Sequence, residues 1–172
     1  MKNTITPTNN ELILSDEEQI ISKTNENGLI TYCNRLFIEF SGYEESELLG
    51  QPHHIIRHPD MPRAIFHLLW ETIKSNHEFN GYIKNLCKDG SFYWVFANVT
   101  PSFSQDNKLL GYYSVRRKVS EEQLNYIKDL YGELKLIEEN ASPEDAIKES
   151  MTQLYNVLNA REVGYNEFIL SL

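Results

Sequence analysis

The sequence predicts an α+β domain over residues 18–118 and a helical extension over residues 119–172. Between residues 79 and 117, three segments carry apolar side chains at alternate positions and are separated by turn residues, which is typical of antiparallel strands. Residues 63–74 instead place apolar side chains at helical spacing, and from Ser120 onward only helical spacing recurs. Strands and helices grouped in separate blocks indicate an α+β fold.

The first part of the chain predicts a tail, a hairpin and a capped helix. Residues 1–17 are polar and predict a mobile N-terminal tail. Two short strands, 18–24 and 29–32, flank an Asn-Glu-Asn-Gly turn. Asn34 is a suitable N-cap for a short helix, and Gly42 ends that helix.

The later strands carry a pattern that a half-exposed sheet does not show. Strands are predicted over 79–87, 91–103 and 109–117. Residues 93–99 are apolar on both faces, whereas a sheet with one face in water alternates apolar and polar residues. The outer face of the sheet is therefore expected to be covered, either by the C-terminal extension or by another protein.

Helix-start patterns divide the extension. Ser120-Glu121-Glu122-Gln123 is a capping box, so a first helix follows Ser120. Ser142 followed by Pro143 predicts the start of a second helix, with serine as its cap. Residues 165–172 form a last short apolar segment.

Composition limits the classes of function. The formal net charge of -9 argues against nucleic acid and anionic lipid as partners. Cys33 and Cys87 lie far apart and form no CxxC motif, which favours a reducing, cytoplasmic compartment. Neither a signal peptide nor a membrane-spanning apolar run is visible in the sequence. A cytoplasmic protein is expected, with no direct membrane insertion and with membrane association only through a partner.

The connector that precedes the helix over residues 63–74 concentrates polar chemistry. Residues 50–62 contain three histidines, an arginine, an aspartate and three prolines. Ligand contacts tend to lie in loops carried by a rigid scaffold. The simpler interpretation is a proline-rich turn in which Asp60 caps a helix that starts at Asp60 or Met61. Both interpretations are retained, with Arg57 and His58 as the ligand candidates.

Two motifs of this connector carry a resemblance to a known family. Gly50-Gln51-Pro52-His53 and the run Arg57-His58-Pro59-Asp60-Met61-Pro62 resemble the signature of the flavin-binding PAS domain of Aer-type energy-taxis sensors. The resemblance extends over about residues 25–117 and includes Lys84-Asn85-Leu86-Cys87-Lys88-Asp89-Gly90. It implies a PAS fold, with a five-stranded antiparallel sheet and short helices around a small-molecule cavity. It also implies a flavin cofactor: spacing alone leaves FAD and FMN open, and the resemblance together with Arg57 favours FAD.

The resemblance assigns flavin retention to the positions of Arg57, His58 and Asp60, and His53 is included as a further cofactor-binding candidate. A guanidinium binds phosphate oxygens through planar, bidentate hydrogen bonds, which suits the pyrophosphate of FAD. Residue chemistry alone favours a surface arginine and a capping aspartate, so the ligand role rests on the motif.

Three further side chains are candidates for cofactor binding. Asn85 shares the strand phase of Phe79 and Ile83, and a buried amide needs hydrogen-bond partners that a flavin pyrimidine edge offers. Trp70 could stack on a flavin ring, and an ordinary core position is nearly as good an interpretation. Asn34 could contact the ligand, although helix capping is the safer assignment.

Individual residues argue against photochemical, metal-binding and enzymatic functions. A light-oxygen-voltage photocycle needs a cysteine in a Gly-x-Asn-Cys pattern, and His53 occupies the corresponding place. The connector histidines match no zinc pattern, and His67, where some PAS proteins place a haem ligand, lies off the apolar stripe of its helix. Because no catalytic triad or nucleotide loop appears, the chain is predicted not to be an enzyme.

The resemblance also suggests how such a protein signals. Single-chain sensors of the family carry a membrane anchor and a signalling helix after the PAS domain, and neither is visible in this sequence. The chain is therefore interpreted as the separate PAS subunit of a bipartite energy-taxis receptor, with a membrane-bound chemoreceptor as partner and with self-association as a further expectation. The rival interpretations are a PAS protein that binds haem or a small metabolite, and a ligand-free PAS dimerisation scaffold.

Overall fold

A computed structural model describes residues 5–172 and shows a five-stranded antiparallel sheet within them. The strand order is β2-β1-β5-β4-β3. The strands are β1 (Ile20–Thr24), β2 (Ile30–Cys33), β3 (Phe79–Leu86), β4 (Phe92–Phe103) and β5 (Leu109–Arg117). The predicted α+β class, the PAS arrangement of sheet and short helices, and the C-terminal helices are all confirmed.

Short helices cover one face of the sheet, and longer ones form the extension. Between β2 and β3 lie α1 (Arg35–Ser41), α2 (Glu45–Leu48), a 3-10 turn (His53–Ile56) and α3 (Arg63–Lys74). After β5 come α4 (Glu121–Asn140), α5 (Ala146–Ala160) and α6 (Tyr165–Ser171). The Ser120 capping box is present, as predicted. Helix α5 begins later than predicted, because the Ser142 hydroxyl accepts from the Asp145 N–H and closes a turn ahead of the helix.

Asn34 joins α1 to the sheet. Its side-chain oxygen accepts from the Phe37 N–H at 3.1 Å and from the Ile21 N–H at 3.0 Å. Its amide nitrogen donates to the Gln19 carbonyl at 2.8 Å. The predicted capping role is confirmed, and the second acceptor bond fixes α1 against β1. Gly42 ends the helix with φ +72°, a conformation that favours glycine.

Helix α3 does not start where the sequence predicted. It begins at Arg63, not at Asp60 or Met61, and Asp60 does not cap it. The Asp60 carboxylate instead pairs with the Lys84 ammonium at 2.7 Å. The first N–H groups of the helix, at Arg63 and Ala64, donate to the carboxylate of Glu138 in α4, at 2.8 and 2.9 Å. Because Glu138 is distant from α3 in the sequence, no local sequence pattern indicates this cap.

The free edge of β3 is contacted at three places, twice by the connector and once by α4. Arg57 pairs with Asn85 as an isolated backbone bridge. The Lys84 N–H donates to the Met61 sulfur at 3.3 Å. The Tyr131 hydroxyl of α4 donates to the Tyr82 carbonyl at 3.0 Å. Unpaired edge groups invite pairing with other chains, so these contacts close the sheet on this side.

The extension covers the outer face of the sheet. Side chains alternate between faces along β4, so Trp94 and Phe96 point away from the face that carries Ala97 and Val99. The Trp94 ring lies 6.2 Å from that of Tyr131, and Phe96 shares a surface depression with Ile169 of α6. The apolar pattern of this strand is therefore explained by the chain's own helices.

The predicted mobile tail needs correction where the structure describes it. The Thr8 N–H donates to the Gly90 carbonyl at 2.8 Å, and the Leu12 N–H donates to the Phe92 carbonyl at 2.8 Å. Leu14 is almost completely buried. These backbone hydrogen bonds attach the N-terminal segment to the chain at Gly90 and Phe92, although its side chains are mostly polar. Residues 1–4 of the predicted tail lie outside the described residues.

Substituting Tyr131→Phe should lower the free energy of unfolding by about 1–2 kcal/mol, because the Tyr82 carbonyl loses its donor in a buried place. Urea unfolding of the variant and of the wild-type protein measures the change. Tyr155→Phe is the matched control, since this tyrosine is 46% exposed and its loss should change little. Equal effects of the two substitutions would contradict the assigned edge contact.

Candidate functional site

A cavity of about 540 Å³ lies between the inner face of the sheet and the helical side of the domain. Its volume falls within the range of small-molecule pockets, roughly 300–1,000 Å³. The walls combine apolar and aromatic side chains with a few polar groups. Four of the seven sequence-predicted cofactor residues line it, namely His53, Arg57, Trp70 and Asn85.

Arg57 stands at the junction of the connector and the cavity. Its guanidinium lies over the Phe66 ring, 4.0 Å from the ring centre, and its backbone pairs with Asn85. Burial lowers the pKa of Arg57, and the nearby Glu138 carboxylate partly opposes that shift. The guanidinium is held against the Phe66 ring, and arginine side chains stay protonated in proteins.

Asn85 lines the cavity and is the cross-strand neighbour of Tyr93. Burial raises the pKa of Tyr93, and the Asn85 side chain acts in the opposite direction. Asn85 is 3% exposed, and within residues 5–172 its side-chain nitrogen has no hydrogen-bond partner. A buried donor of this kind is costly unless something accepts from it. Asn85 therefore favours a ligand that brings an acceptor to this wall.

Trp70 forms an aromatic wall of the cavity. Its ring meets the Tyr112 ring edge-on at 5.6 Å between centres. A Cβ atom added at Gly28 would lie 2.8 Å from the Trp70 ring, and Gly28 has φ +78°. Glycine is therefore required for Trp70 to pack against the β1–β2 turn, so the turn and the cavity wall depend on each other.

Arg116 is a functional candidate that the sequence analysis did not single out. It lies on β5 with 4% exposure, and its Nη2 donates to Ser22 Oγ at 2.9 Å and to His53 Nε2 at 2.6 Å. Its Nη1 has no hydrogen-bond partner in the part of the chain that the structure describes, and neither has Ser114 Oγ. Both residues line the cavity, so the inner sheet offers a cationic donor and a hydroxyl to a bound molecule.

The rim of the cavity carries basic side chains. Arg63 and Lys74 are exposed there, Arg57 lies beside them, and the cavity lining within the described residues contains no aspartate or glutamate. His67 also lies 3.3 Å from Glu71 on the same helix. In a chain of net charge -9, this local excess of cations indicates a preference for an anionic group at the entrance.

A family model described as the PAS fold matches residues 30–116, which is half of the chain. The chain belongs to the PAS fold family. It is 40% identical over 121 residues to the aerotaxis receptor of Escherichia coli (strain K12), an alignment that covers 70% of this chain and 24% of the receptor. It is 30% identical over 100 residues to the nitrogen fixation regulatory protein of Klebsiella pneumoniae, covering 58% of this chain and 20% of that protein.

Solved structures show the same fold. A light-oxygen-voltage domain studied with a flavin analogue superposes with a TM-score of 0.57 at 22% identity, covering 67% of this chain and 87% of that one. The chain spans a quarter or less of the length of the two curated relatives. The shared part is therefore the PAS domain. Over this part the chain is similar to the aerotaxis receptor.

The other three predicted site residues of the PAS domain lie outside the cavity lining. Asn34 serves α1 and β1, and Asp60 pairs with Lys84. His58 is 2% exposed, and its Nδ1 accepts from the Asp60 N–H at 3.1 Å. These contacts shape the connector that carries Arg57, and direct ligand contact by these three residues stays a prediction.

Burial and the neighbouring Lys84 lower the pKa of His58 to about 4, so its ring is neutral at pH 7. Burial and the adjacent Arg116 lower the pKa of His53 to about 3, with His54 contributing in the same direction. Since arginine only donates, Nε2 of His53 must be unprotonated. The ring stacks on Phe37 at 5.7 Å, which fixes its plane. A neutral histidine thus supports the buried cation without adding charge.

Within residues 5–172, no group of histidine, cysteine or acidic side chains is arranged to hold a metal ion. The connector histidines are used separately, since His53 contacts Arg116 and His58 contacts the Asp60 backbone. Across the same part of the PAS protein, no helix has the length and apolar character needed to cross a membrane.

The depressed pKa of His53 makes stability depend on pH. In the unfolded state His53 is protonated below its ordinary pKa of about 6.5, whereas in the folded state it is protonated only below about pH 3. The free energy of unfolding therefore falls as the pH falls from about 6.5 to about 3. Between about pH 7 and about pH 5 the loss from His53 is about 2 kcal/mol. His58 adds a loss of the same sign.

Denaturant unfolding at the two pH values measures this dependence, and His53→Gln isolates it, because glutamine keeps an acceptor for Arg116 but does not titrate. The variant should lose the His53 share of the pH dependence and keep the share of His58. A variant as pH-sensitive as the wild-type protein would show that His53 is not held neutral.

Proposed function

We propose that this PAS domain binds FAD in the cavity and serves as a redox or energy-state sensor that signals to a separate membrane chemoreceptor. One observation carries the proposal. Buried polar atoms of Asn85, Ser114 and Arg116 lack partners within the described chain and belong to residues that line a cavity with aromatic walls. The likeness to an aerotaxis receptor and to a light-oxygen-voltage domain studied with a flavin analogue supports the same choice of ligand and role.

The residues present fit a flavin ring. A flat heteroaromatic ring needs apolar faces, and Trp70 and Ile83 line the cavity. Its pyrimidine edge carries carbonyl oxygens and an N–H group, which complement the amide of Asn85 and the guanidinium of Arg116. A haem would need an axial ligand in the cavity. His53 is engaged through Nε2 by Arg116, and His67 is exposed at the entrance, so flavin is the better match.

The entrance favours a flavin with phosphate groups over one without. Arg57 stacks on Phe66 with its fork held in place, and Arg63 and Lys74 lie on the same rim. Guanidinium groups bind phosphate oxygens through paired, charge-assisted hydrogen bonds. A pyrophosphate extends further along this rim than a single phosphate, which supports FAD.

A bound flavin supplies reversible electron uptake, and the protein supplies position and charge. Arg116 holds a fixed positive charge beside the cavity, so negative charge that arises there is stabilised. Neutral His53 and Ser22 anchor Nη2 and leave Nη1 for the ligand. Because these groups orient and sense but perform no bond chemistry, the proposed role is sensing and not catalysis.

Purified protein should be yellow, and the cofactor released on denaturation should run as FAD in chromatography. Arg57→Ala should weaken FAD binding by about tenfold or more, since a charge-assisted hydrogen bond contributes roughly 1.5–3 kcal/mol. Arg35→Ala is the matched control, because Arg35 is 90% exposed and pairs only with Glu39 among the described residues. Titration with FAD followed by absorbance measures both.

The outcomes separate the rival functions. A Soret band in place of flavin bands would identify haem. A colourless protein that cannot be reconstituted with FAD would leave the ligand-free scaffold. Loss of FAD from both arginine variants alike would show that the effect is not specific to the cavity entrance.

The output surface is proposed to lie on the extension, with the protein on the cytoplasmic side and in contact with the membrane only through its partner. The sheet's outer face is covered, and the proposed contacts are the apolar side chains exposed on the C-terminal helices, namely Leu136, Tyr155 and Leu170. Apolar side chains at the surface are suited to an interface when they lie together.

Leu136→Glu and Tyr155→Glu should reduce capture of the protein by a membrane-bound chemoreceptor in a pull-down while the flavin spectrum stays unchanged. Leu110→Glu, at a position on β5 that is also exposed, is the matched control and should be captured like the wild-type protein. Unchanged capture of both helix variants would place the interface on the PAS core.

A further inference from the structure

The extension touches the cavity wall at two points. The Glu138 side chain of α4 is 7% exposed, and its two oxygens accept from the Arg63 and Ala64 N–H groups at the start of α3. Ile147 of α5 lines the cavity itself. The helices after the sheet therefore contribute directly to the compartment that the sheet and α3 enclose.

The Glu138 contact is a strong one for physical reasons. The first N–H groups of a helix have no partner inside the helix, and α3 has Pro62 at its cap position, which gives no side-chain cap. A carboxylate at this end also complements the helix dipole. Separation would break two charge-assisted hydrogen bonds and leave two N–H groups at the start of α3 without their acceptor, which is costly. The end of α4 and the start of α3 are thus held together.

The position of α3 determines two parts of the ligand site. One turn into the helix, Phe66 supports the Arg57 guanidinium at 4.0 Å. Two turns in, Trp70 forms the aromatic wall next to Gly28. Glu138 also acts on Arg57 electrostatically, since it opposes the lowering of the Arg57 pKa by burial. A shift at the start of α3 would therefore move both the wall and the arginine.

We infer that Glu138 is a positioning residue for the ligand cavity, and that through it the extension and the ligand stabilise one another. The inference rests on the proposed binding of FAD. Linkage is reciprocal, so an extension that favours the ligand-binding arrangement of α3 must itself be favoured when the ligand binds. A partner that draws α4 away from α3 would loosen the ligand, and the ligand would oppose that movement.

The test compares Glu138→Ala with two controls. Glu139→Ala removes the next carboxylate, which is exposed and pairs with Lys135 at 3.5 Å. Tyr131→Phe weakens the attachment of α4 at β3 without touching α3. FAD affinity is measured by titration, and amide hydrogen exchange is measured over residues 63–70 and 134–140 with and without FAD.

Glu138→Ala should weaken FAD binding at least about fivefold, the lower end of typical coupling between sites. Exchange at the start of α3 should rise, and the protection that FAD gives to residues 134–140 in the wild-type protein should disappear. Glu139→Ala should match the wild-type protein, and Tyr131→Phe should keep its FAD affinity. Glu138→Gln keeps one acceptor oxygen and should recover part of the affinity.

Two results would overturn the inference. One is an unchanged FAD affinity in Glu138→Ala, and the other is an equal loss in Tyr131→Phe, which would reduce the effect to general destabilisation. Failure of the wild-type protein to bind FAD is a different result, because it overturns the proposed function. In that case the exchange data still test whether Glu138 holds the start of α3. Faster exchange over residues 63–70 in Glu138→Ala supports this role of Glu138, and unchanged exchange overturns it.

Discussion

The free edge of β3 is the constraint on which the rest of the domain depends. In a sheet of this order β2 and β3 are the two edge strands, and the outer backbone groups of β3 need partners where they are buried. The connector supplies Arg57 and Met61, and the extension supplies Tyr131. The same contacts bring Arg57 to the cavity and α4 to the sheet. The contacts that close the edge therefore also build the wall of the cavity.

The inner face of the sheet holds a buried cation without a carboxylate partner, which lowers stability and suits the proposed ligand. A buried guanidinium is normally paired with a carboxylate, because an unpaired buried charge is costly. Arg116 has only the neutral Ser22 and His53 as hydrogen-bond partners among the described residues, and burial lowers its pKa to about 10. A carboxylate there would neutralise the charge that the cavity offers. Real proteins depart from the most stable arrangement at functional sites, and this cluster is such a departure.

Local sequence patterns predicted the helices and strands well, but they could not predict contacts between residues that are distant in sequence. The period-two alternation of the later strands, the Asn34 cap and the Ser120 capping box each depend on residues close in sequence. The start of α3 was misplaced because its cap, Glu138, is supplied by a distant helix. Aspartate is a common helix-capping residue, but the Asp60 carboxylate forms an ion pair with Lys84 instead.

The candidate site was predictable where a motif or a strand phase indicated it. Asn85 was assigned to the inner face from its phase with Ile83, and both line the cavity. Arg116 was missed because a cation at the end of a strand is ordinarily exposed. Its phase with Ser114 and Tyr112 was the available indication, since all three line the cavity. Distinguishing a buried arginine from an exposed one required the position of His53, which comes from the connector.

The covering of the sheet changes how a signal can leave the domain. Trp94 and Phe96 are occupied by α4 and α6, so the outer face of the sheet is not free to bind a partner without displacing those helices. The extension is bound to the sheet through Tyr131 and to the cavity wall through Glu138. Any change that moves α3 must strain one of these contacts or move α4 with it. The helices thus connect the cavity wall to the surface of the extension, and in the proposed function a partner on their exposed side would act on the ligand through the same contacts.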